Sequence, residues 1–245
     1  MRPIILIPAR MASTRLPGKP LADICGLPMI VHVLNRALSS GLGPVAVACA
    51  EAEIADAVIA AGGTAILTDP ALPSGSDRIF AALQSFDPAG AFDTIINLQG
   101  DLPSIPPDFL SAVLQPLADP TYDIGTLVAL ITTPQEATSP SVVKCACAFA
   151  SGQNVAPALY FSRTKIPSGD GPLWHHIGIY AYRRAALEKF VSLPESPLES
   201  REKLEQLRAL EAGMRIGAAK VDHAPFGVDT PSDLEHARKI LEPKA

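Results

Sequence analysis

Four short aliphatic runs, Ile4 to Ile7, Val45 to Ala50, Thr64 to Leu67 and Thr94 to Leu98, alternate with stretches whose apolar residues recur at helical spacing. No other feature constrains this chain as strongly, because runs of four to six buried aliphatics suit strands covered on both faces. Met29, Ile30, Val33, Leu34, Ala37 and Leu38 make one helical stripe, and Ile54, Ala57, Val58 and Ala61 make another. Strand and helix in alternation build right-handed βαβ units, so the pattern predicts an α/β fold with a doubly wound, mostly parallel sheet. In such a sheet, ligands bind at the carboxyl ends of the strands.

After Leu117 the rhythm changes. Ile124 to Ile131 and Val142 to Phe149 read as long strands joined by a Thr/Pro-rich turn, which suits antiparallel pairing. The segment from about 134 to 170 is expected to leave the core as an excursion whose apolar edge serves a subunit contact. His176 to Tyr182 and Ile216 to Val221 read as strands, and Ser200 to Ala212 as a helix. Thr230, Pro231 and Asp233 supply an N-cap, a proline at the first helical position and an acid at the third, so a final helix is expected from Pro231 to Leu241. A single domain over residues 1–245 is the resulting expectation.

Charge and composition exclude several classes. Twenty basic against 25 acidic residues give a net charge of −5, with no basic run, which argues against a nucleic-acid binder that works by phosphate neutralisation. The apolar start, Ile4 to Ala9, is closed by Arg10 and is too short for a secretory h-region. The uncharged stretch Cys145 to Ser162 carries Ser, Gly, Gln, Asn and Pro, so no membrane span is expected and a cytoplasmic location is. Cys25, Cys49, Cys145 and Cys147 lack C-x-x-C spacing and read as small hydrophobes.

The first strand runs into Pro8-Ala-Arg-Met-Ala-Ser-Thr-Arg-Leu-Pro-Gly-Lys-Pro-Leu21, which holds Arg10, Arg15 and Lys19 with no acid among them. Three cations and free backbone N–H groups at a strand's carboxyl end suit a polyanion such as a triphosphate; a solvated surface loop is the competing reading. Neither a Walker loop nor the glycine-rich dinucleotide fingerprint is present. Asn97-Leu-Gln-Gly-Asp101 ends another strand in an amide, a glycine and a carboxylate that could hold a hard cation or merely close a turn. Asp229, just before the final helix, is either a second such carboxylate or an acid favoured by the helix dipole.

Together with Ser74-Gly-Ser-Asp-Arg78, Tyr160-Phe-Ser-Arg163, His176-Ile-Gly-Ile-Tyr180, Leu204-Glu-Gln-Leu-Arg208 and Gly227-Val-Asp-Thr-Pro231, these segments resemble the 3-deoxy-manno-octulosonate cytidylyltransferase family, also called CMP-Kdo synthetases. The resemblance runs in order through nearly the whole chain. The sialate-activating enzymes share an Ile-Pro-Ala-Arg opening but lack the continuation found here.

The resemblance implies a fold of nucleotide-diphospho-sugar transferase type, usually dimeric, and an enzyme that joins CTP to Kdo, releasing pyrophosphate, for lipopolysaccharide biosynthesis. Cytidylyl transfer to a related acidic sugar, such as an amino analogue of Kdo, and a non-catalytic nucleotide-binding module are the alternatives. Carried over by motif, Pro8, Ala9, Arg10, Arg15, Lys19, Ser74, Gly75 and Arg78 bind CTP, with Arg10, Arg15 and Lys19 on the triphosphate. Asp101 and Asp229 hold Mg2+ and, with the three cations, form the catalytic set. Gln99, Arg163, His176, Tyr180, Glu205 and Gln206 are the implied sugar contacts, while His175 receives no role. Two departures stand out: the family commonly has Glu where this chain has Leu102, and the loop between Pro167 and His176 is short.

Overall fold

The computed structural model describes residues 1–242; the last three residues of the single-domain expectation lie outside the described residues. The described residues form two compact units, one from Met1–Leu110 with residues 225–242 and one from Ser111–Ala224.

In the first unit, β1 (Pro3–Ala9) is followed by a small antiparallel hairpin, β2 (Asp23–Ile24) with β3 (Leu27–Pro28). The sheet then adds β4 (Val45–Cys49), β5 (Thr64–Leu67) and β6 (Thr94–Asn97) in the spatial order β5-β4-β1-β6, every pair parallel. Ile4, Ile5, Leu6 and Ile7 are wholly buried, as a central parallel strand requires. Helices Met29–Ser39, Ala52–Ala60 and Gly75–Phe86 follow β3, β4 and β5. The first presents Met29, Ile30, Val33, Leu34 and Ala37 to the core, but Leu38, expected in that stripe, is half exposed because it lies at the helix's last turn. The final helix, Pro231–Leu241, is held by the expected capping box between Thr230 and Asp233, and its Leu234 and Ala237 pack with Ile24, Met29 and Val228.

The second unit pairs β7 (Ile124–Leu130), β8 (Lys144–Ala146), β9 (Val155–Pro157), β10 (Tyr160–Ser162), β11 (Trp174–Arg183) and β12 (Ile216–Val221). β7 lies between β11, antiparallel, and β12, parallel; β9 runs antiparallel to β12, and β8 is antiparallel to both β10 and β11.

Two expectations need correction here. The long apolar strand from Val142 to Phe149 is only three residues, Lys144–Ala146, because its partner β10 is itself three residues long, and β8 is paired on both sides within the chain, so it is no exposed edge. The helix expected from Ser200 to Ala212 is two short helices, Pro197–Glu202 and Leu207–Glu211, broken where Lys203 adopts a left-handed conformation at φ 56°. A capping box on Ser196 and Glu199 starts the first helix early. A bidentate pair, Arg208 Nε to Glu199 Oε2 at 2.8 Å and Nη2 to Oε1 at 2.6 Å, then folds the second helix against it. Among the described residues no helix is long and apolar enough to cross a membrane.

Candidate active site

A cavity of about 390 Å³ in the first unit is lined by the loop after β1, the start of helix Gly75–Phe86, the end of β6 and Asp229. Every residue expected to contact CTP borders it, as do Gln99, Asp101 and Asp229. The basic loop is tied down from several sides: Met11 N–H donates to Glu51 Oε2 at 2.9 Å, and Gly18 N–H returns to Met11 O at 3.3 Å. Gly18 itself takes the left-handed conformation, φ 70°, that opens the turn into Lys19. Gly100 lets the end of β6 close on β1, since a Cβ there would lie 2.9 Å from the Pro8 carbonyl oxygen. Glu51 was not singled out from sequence; an acid directly after a buried strand was its only signal.

Lys19 joins the two distant carboxylates. Its ammonium donates to Asp101 Oδ2 at 2.9 Å and to Asp229 Oδ1 at 3.1 Å, while Arg15 reaches Asp229 Oδ2 at 3.0 Å. Burial alone would lower the Lys19 pKa, but the two carboxylates outweigh it and hold the pKa above its usual value, so the amine stays charged. Asp229 is positioned from its own backbone: Val228 N–H bonds Asp101 O at 2.9 Å, and Asp229 N–H bonds Asp233 Oδ2 at 3.1 Å. Leu102 is buried and would be the neighbour of any side chain at Gly227, so it packs beneath the segment that carries Asp229 and offers no ligand.

Two hard carboxylate oxygens, each one hydrogen bond from the same cationic nitrogen, fit a magnesium ion, which takes one or two protein carboxylates and fills its shell with phosphate oxygens and water. No group of three or more His, Cys, Asp or Glu ligands gathers among the described residues, at this site or elsewhere, and the four cysteines are free thiols.

The remaining cavity residues divide by task. Arg10 and Arg15 are exposed, as suits groups that meet a ligand from solvent. Arg78 is buried and holds the turn before the helix, donating to Thr68 Oγ1 at 2.6 Å and Asp69 O at 3.1 Å. Burial, with Arg10 nearby, lowers its pKa, though a guanidinium remains charged. Ser74 caps the helix by accepting from Asp77 N–H at 3.2 Å, and Gly75 sits so close to Pro8 that a Cβ would meet its Cγ at 3.3 Å. Gln99 donates to Asn97 Oδ1 at 3.3 Å.

The other implied sugar residues lie in the second unit. His176 stacks edge-on against Phe161 and tilts against Tyr180, with ring centroids 4.7 and 5.6 Å away. Its Nε2 lies 3.1 Å from Thr126 Oγ1, which also meets Ile179 O at 2.9 Å. A hydroxyl has one proton, so with that proton on a carbonyl the imidazole Nε2 is the donor and Nδ1 carries the lone pair. The Thr126 hydroxyl thereby closes the register shift in β11 between Ile177 and Tyr180, the kind of bulge that re-aims side chains. Burial drives the His176 pKa down to about 3 and raises that of Tyr180 well above its usual value, so both are neutral. Thr126 was missed, although a hydroxyl inside Ile124-Gly-Thr-Leu-Val was a visible signal.

Gln206 is buried beside the break between the two short helices, with its Nε2 lacking a partner, while Glu205 is partly buried there. Arg163 fixes that break: Nε donates to Glu202 O at 2.9 Å, Nη2 to Lys203 O at 3.2 Å and Nη1 to Pro140 O at 3.1 Å. Of its five N–H groups this leaves one on each terminal nitrogen. His175 pairs in register with Lys144, and its buried Nδ1 has no partner.

Residues 4–216 match the family model described as Cytidylyltransferase. A 3-deoxy-manno-octulosonate cytidylyltransferase of Paramagnetospirillum magneticum (strain ATCC 700264 / AMB-1) is 60% identical over 99% of this chain and 98% of its own length. One of Rhodopseudomonas palustris (strain BisB18) is 63% identical over 97% of each. Among solved structures, CMP:2-keto-3-deoxy-manno-octonic acid synthetase complexed with CTP superimposes with a TM-score of 0.89 at 42% identity, covering 98% of both chains.

Proposed function

The chain belongs to the cytidylyltransferase family, among the 3-deoxy-manno-octulosonate cytidylyltransferases, and from that premise we propose that it transfers the cytidylyl group of CTP to Kdo, giving CMP-Kdo and pyrophosphate. The observation that carries the reading is the cavity in which four cations, Arg10, Arg15, Lys19 and Arg78, and the two carboxylates that share the Lys19 ammonium surround a nucleotide-sized space.

In the reaction the anomeric oxygen of Kdo attacks the α-phosphorus and the bond to pyrophosphate breaks. Both reactants are anions, so the protein's work is positioning and charge neutralisation. Arg10 and Arg15 meet the triphosphate from the exposed loop, and Lys19 bridges Asp101 and Asp229 and holds them close together. Asp101 and Asp229 would hold a magnesium ion, which would supply further neutralisation of phosphate charge. Arg78 and Ser74 shape the wall for the cytidine, with backbone N–H groups at the start of the helix available to it. Arg163 presents its two remaining N–H groups to the sugar carboxylate, which a guanidinium recognises well. Neutral His176 and Tyr180 bond the sugar hydroxyls, as do Gln99, Glu205 and Gln206.

The enzyme works as a homodimer in the cytoplasm, joined through residues of about 134–170; the exposed Leu159 at that segment supports an apolar contact. Light scattering that reports a monomer at working concentration ends the dimer reading. Pyrophosphate release is the assay for the reaction, with CTP compared against UTP, ATP and GTP, and Kdo against its carboxyl-reduced form. Equal turnover of the reduced sugar refutes the role given to Arg163.

A further inference from the structure

Lys144 is wholly buried on β8, yet none of its hydrogen-bond partners is a carboxylate. Its ammonium donates to two backbone carbonyls, Ser139 O at 2.6 Å and Arg163 O at 3.3 Å. Burying an ammonium against neutral acceptors is costly, and a methionine or leucine would fill the same space without that cost. Burial accordingly lowers the Lys144 pKa. A cation kept in such a place calls for a task that apolar packing does not perform.

The two carbonyls identify the task. Ser139 precedes Pro140, whose carbonyl accepts from Arg163 Nη1 at 3.1 Å, and the other carbonyl belongs to Arg163 itself. One buried nitrogen thus fixes both the backbone of Arg163 and the acceptor against which its guanidinium rests. The β8–β10 pairing sets this up by placing Lys144 opposite Ser162, the residue before Arg163. On the far side Glu202 accepts from Ser162 Oγ at 2.8 Å and Arg163 N–H at 3.1 Å, so the arginine is held from both directions.

We propose that Lys144 is a positioning residue for Arg163, aiming its two uncommitted N–H groups at the acidic group of the acceptor sugar; this rests on the reading of Arg163 given above. Without Lys144 the carbonyl of Ser139 keeps only the bond from Val142 N–H at 3.2 Å, while the end of β10 keeps its ties to Glu202. The two are then no longer fixed to each other, and Arg163 loses its orientation while keeping its charge. A displacement of about 1 Å at a reacting centre costs up to about a hundredfold, so a smaller drift of a binding arginine should raise the acceptor KM about tenfold.

The test is steady-state kinetics on Lys144→Met, Arg163→Ala and the double variant, with Lys144→Gln, whose amide can still donate to one carbonyl, run alongside. Lys144→Met should raise the KM for Kdo about tenfold while the KM for CTP stays within about twofold, and Lys144→Gln should fall between it and the parent. The double variant should be no worse than Arg163→Ala alone, because residues acting through one group are not additive. If Arg163→Ala leaves the KM for Kdo unchanged, the reading of Arg163 falls and takes the proposal with it. If Arg163→Ala raises that KM but Lys144→Met does not, or the two effects multiply in the double variant, the site reading stands and the role of Lys144 is overturned. Loss of CTP-dependent thermal stabilisation in both lysine variants makes Lys144 a general folding requirement and equally overturns it.

Discussion

Replacing His176 with glutamine tests the buried, neutral histidine through its effect on stability against pH. The folded protein holds the imidazole at a pKa of about 3, against an ordinary value of about 6.5, because burial penalises the charged ring. The unfolded chain therefore binds the proton first as pH falls. Stability from this group is complete above about pH 6.5 and is lost on acidification toward pH 3, at about 1.4 kcal/mol per pH unit. By pH 5 the cumulative loss is about 2 kcal/mol. His175, whose pKa burial also lowers, titrates in the same direction, so the parent alone does not isolate the effect. His176→Gln should be less stable than the parent at pH 8, having lost the ring contacts with Phe161 and Tyr180, but its stability should fall less steeply between pH 7 and pH 5. Urea unfolding of both proteins at half-unit pH intervals measures this difference. Parallel stability curves over that range refute a buried neutral His176, and with it the assignment of Nε2 as the donor to Thr126.

Gly100→Ala sets a methyl carbon 2.9 Å from the Pro8 carbonyl oxygen, which is backbone and cannot swing aside; a cost of about 1 to 3 kcal/mol and a fall in Tm of several degrees are expected by scanning fluorimetry, with reduced turnover. Asp101→Asn and Asp229→Asn should each remove most turnover and raise the magnesium concentration needed for half-maximal rate; near-parental kinetics in either variant refute a shared metal site. Leu102→Glu should restore nothing and should lower Tm, because a buried carboxylate would replace the packing under Gly227, whereas a large gain in rate means the natural site is impaired. Lys19→Ala should weaken CTP binding and also leave Asp101 and Asp229 to repel one another, so its loss of affinity should shrink in high salt; binding equal to the parent sinks the assignment of the loop.

Strands β1, β4 and β6 of the first unit were legible because their side chains are largely buried on both faces, and that demand writes itself as continuous aliphatic sequence, whereas β5 lies at the sheet's edge with Thr64 and Leu67 exposed. The capping box on Thr230 was legible for a similar reason: its partners lie three residues apart. What escaped detection depends on distant residues. The break at Lys203 is held by the side chain of Arg163, forty positions earlier, and by the Glu199–Arg208 pair, so the local sequence still reads as one helix. The strand after Val142 stops where β10 runs out of partners, a limit no window around Val142 contains. The site shows the same division. Arg10, Arg15, Lys19 and Asp101 announce themselves as charge at strand ends, whereas Glu51 and Thr126 act through hydrogen bonds that only the assembled sheet creates.

The ionisation states constrain the chemistry as firmly as the positions do. Lys19 is pushed up by its two carboxylates, Tyr180 up by burial and His176 down by burial, so each is moved away from the pH at which the enzyme works. An efficient general acid or base needs the opposite, a pKa near the operating pH. These three groups are thus built to hold fixed charge or fixed hydrogen-bond polarity. A donor that does not titrate presents the same face to the substrate throughout the reaction, and a cation that does not titrate neutralises phosphate charge without a proton moving. Transfer between two anions gains most from such groups, since its barrier lies in bringing negative charges together and stabilising the departing phosphates.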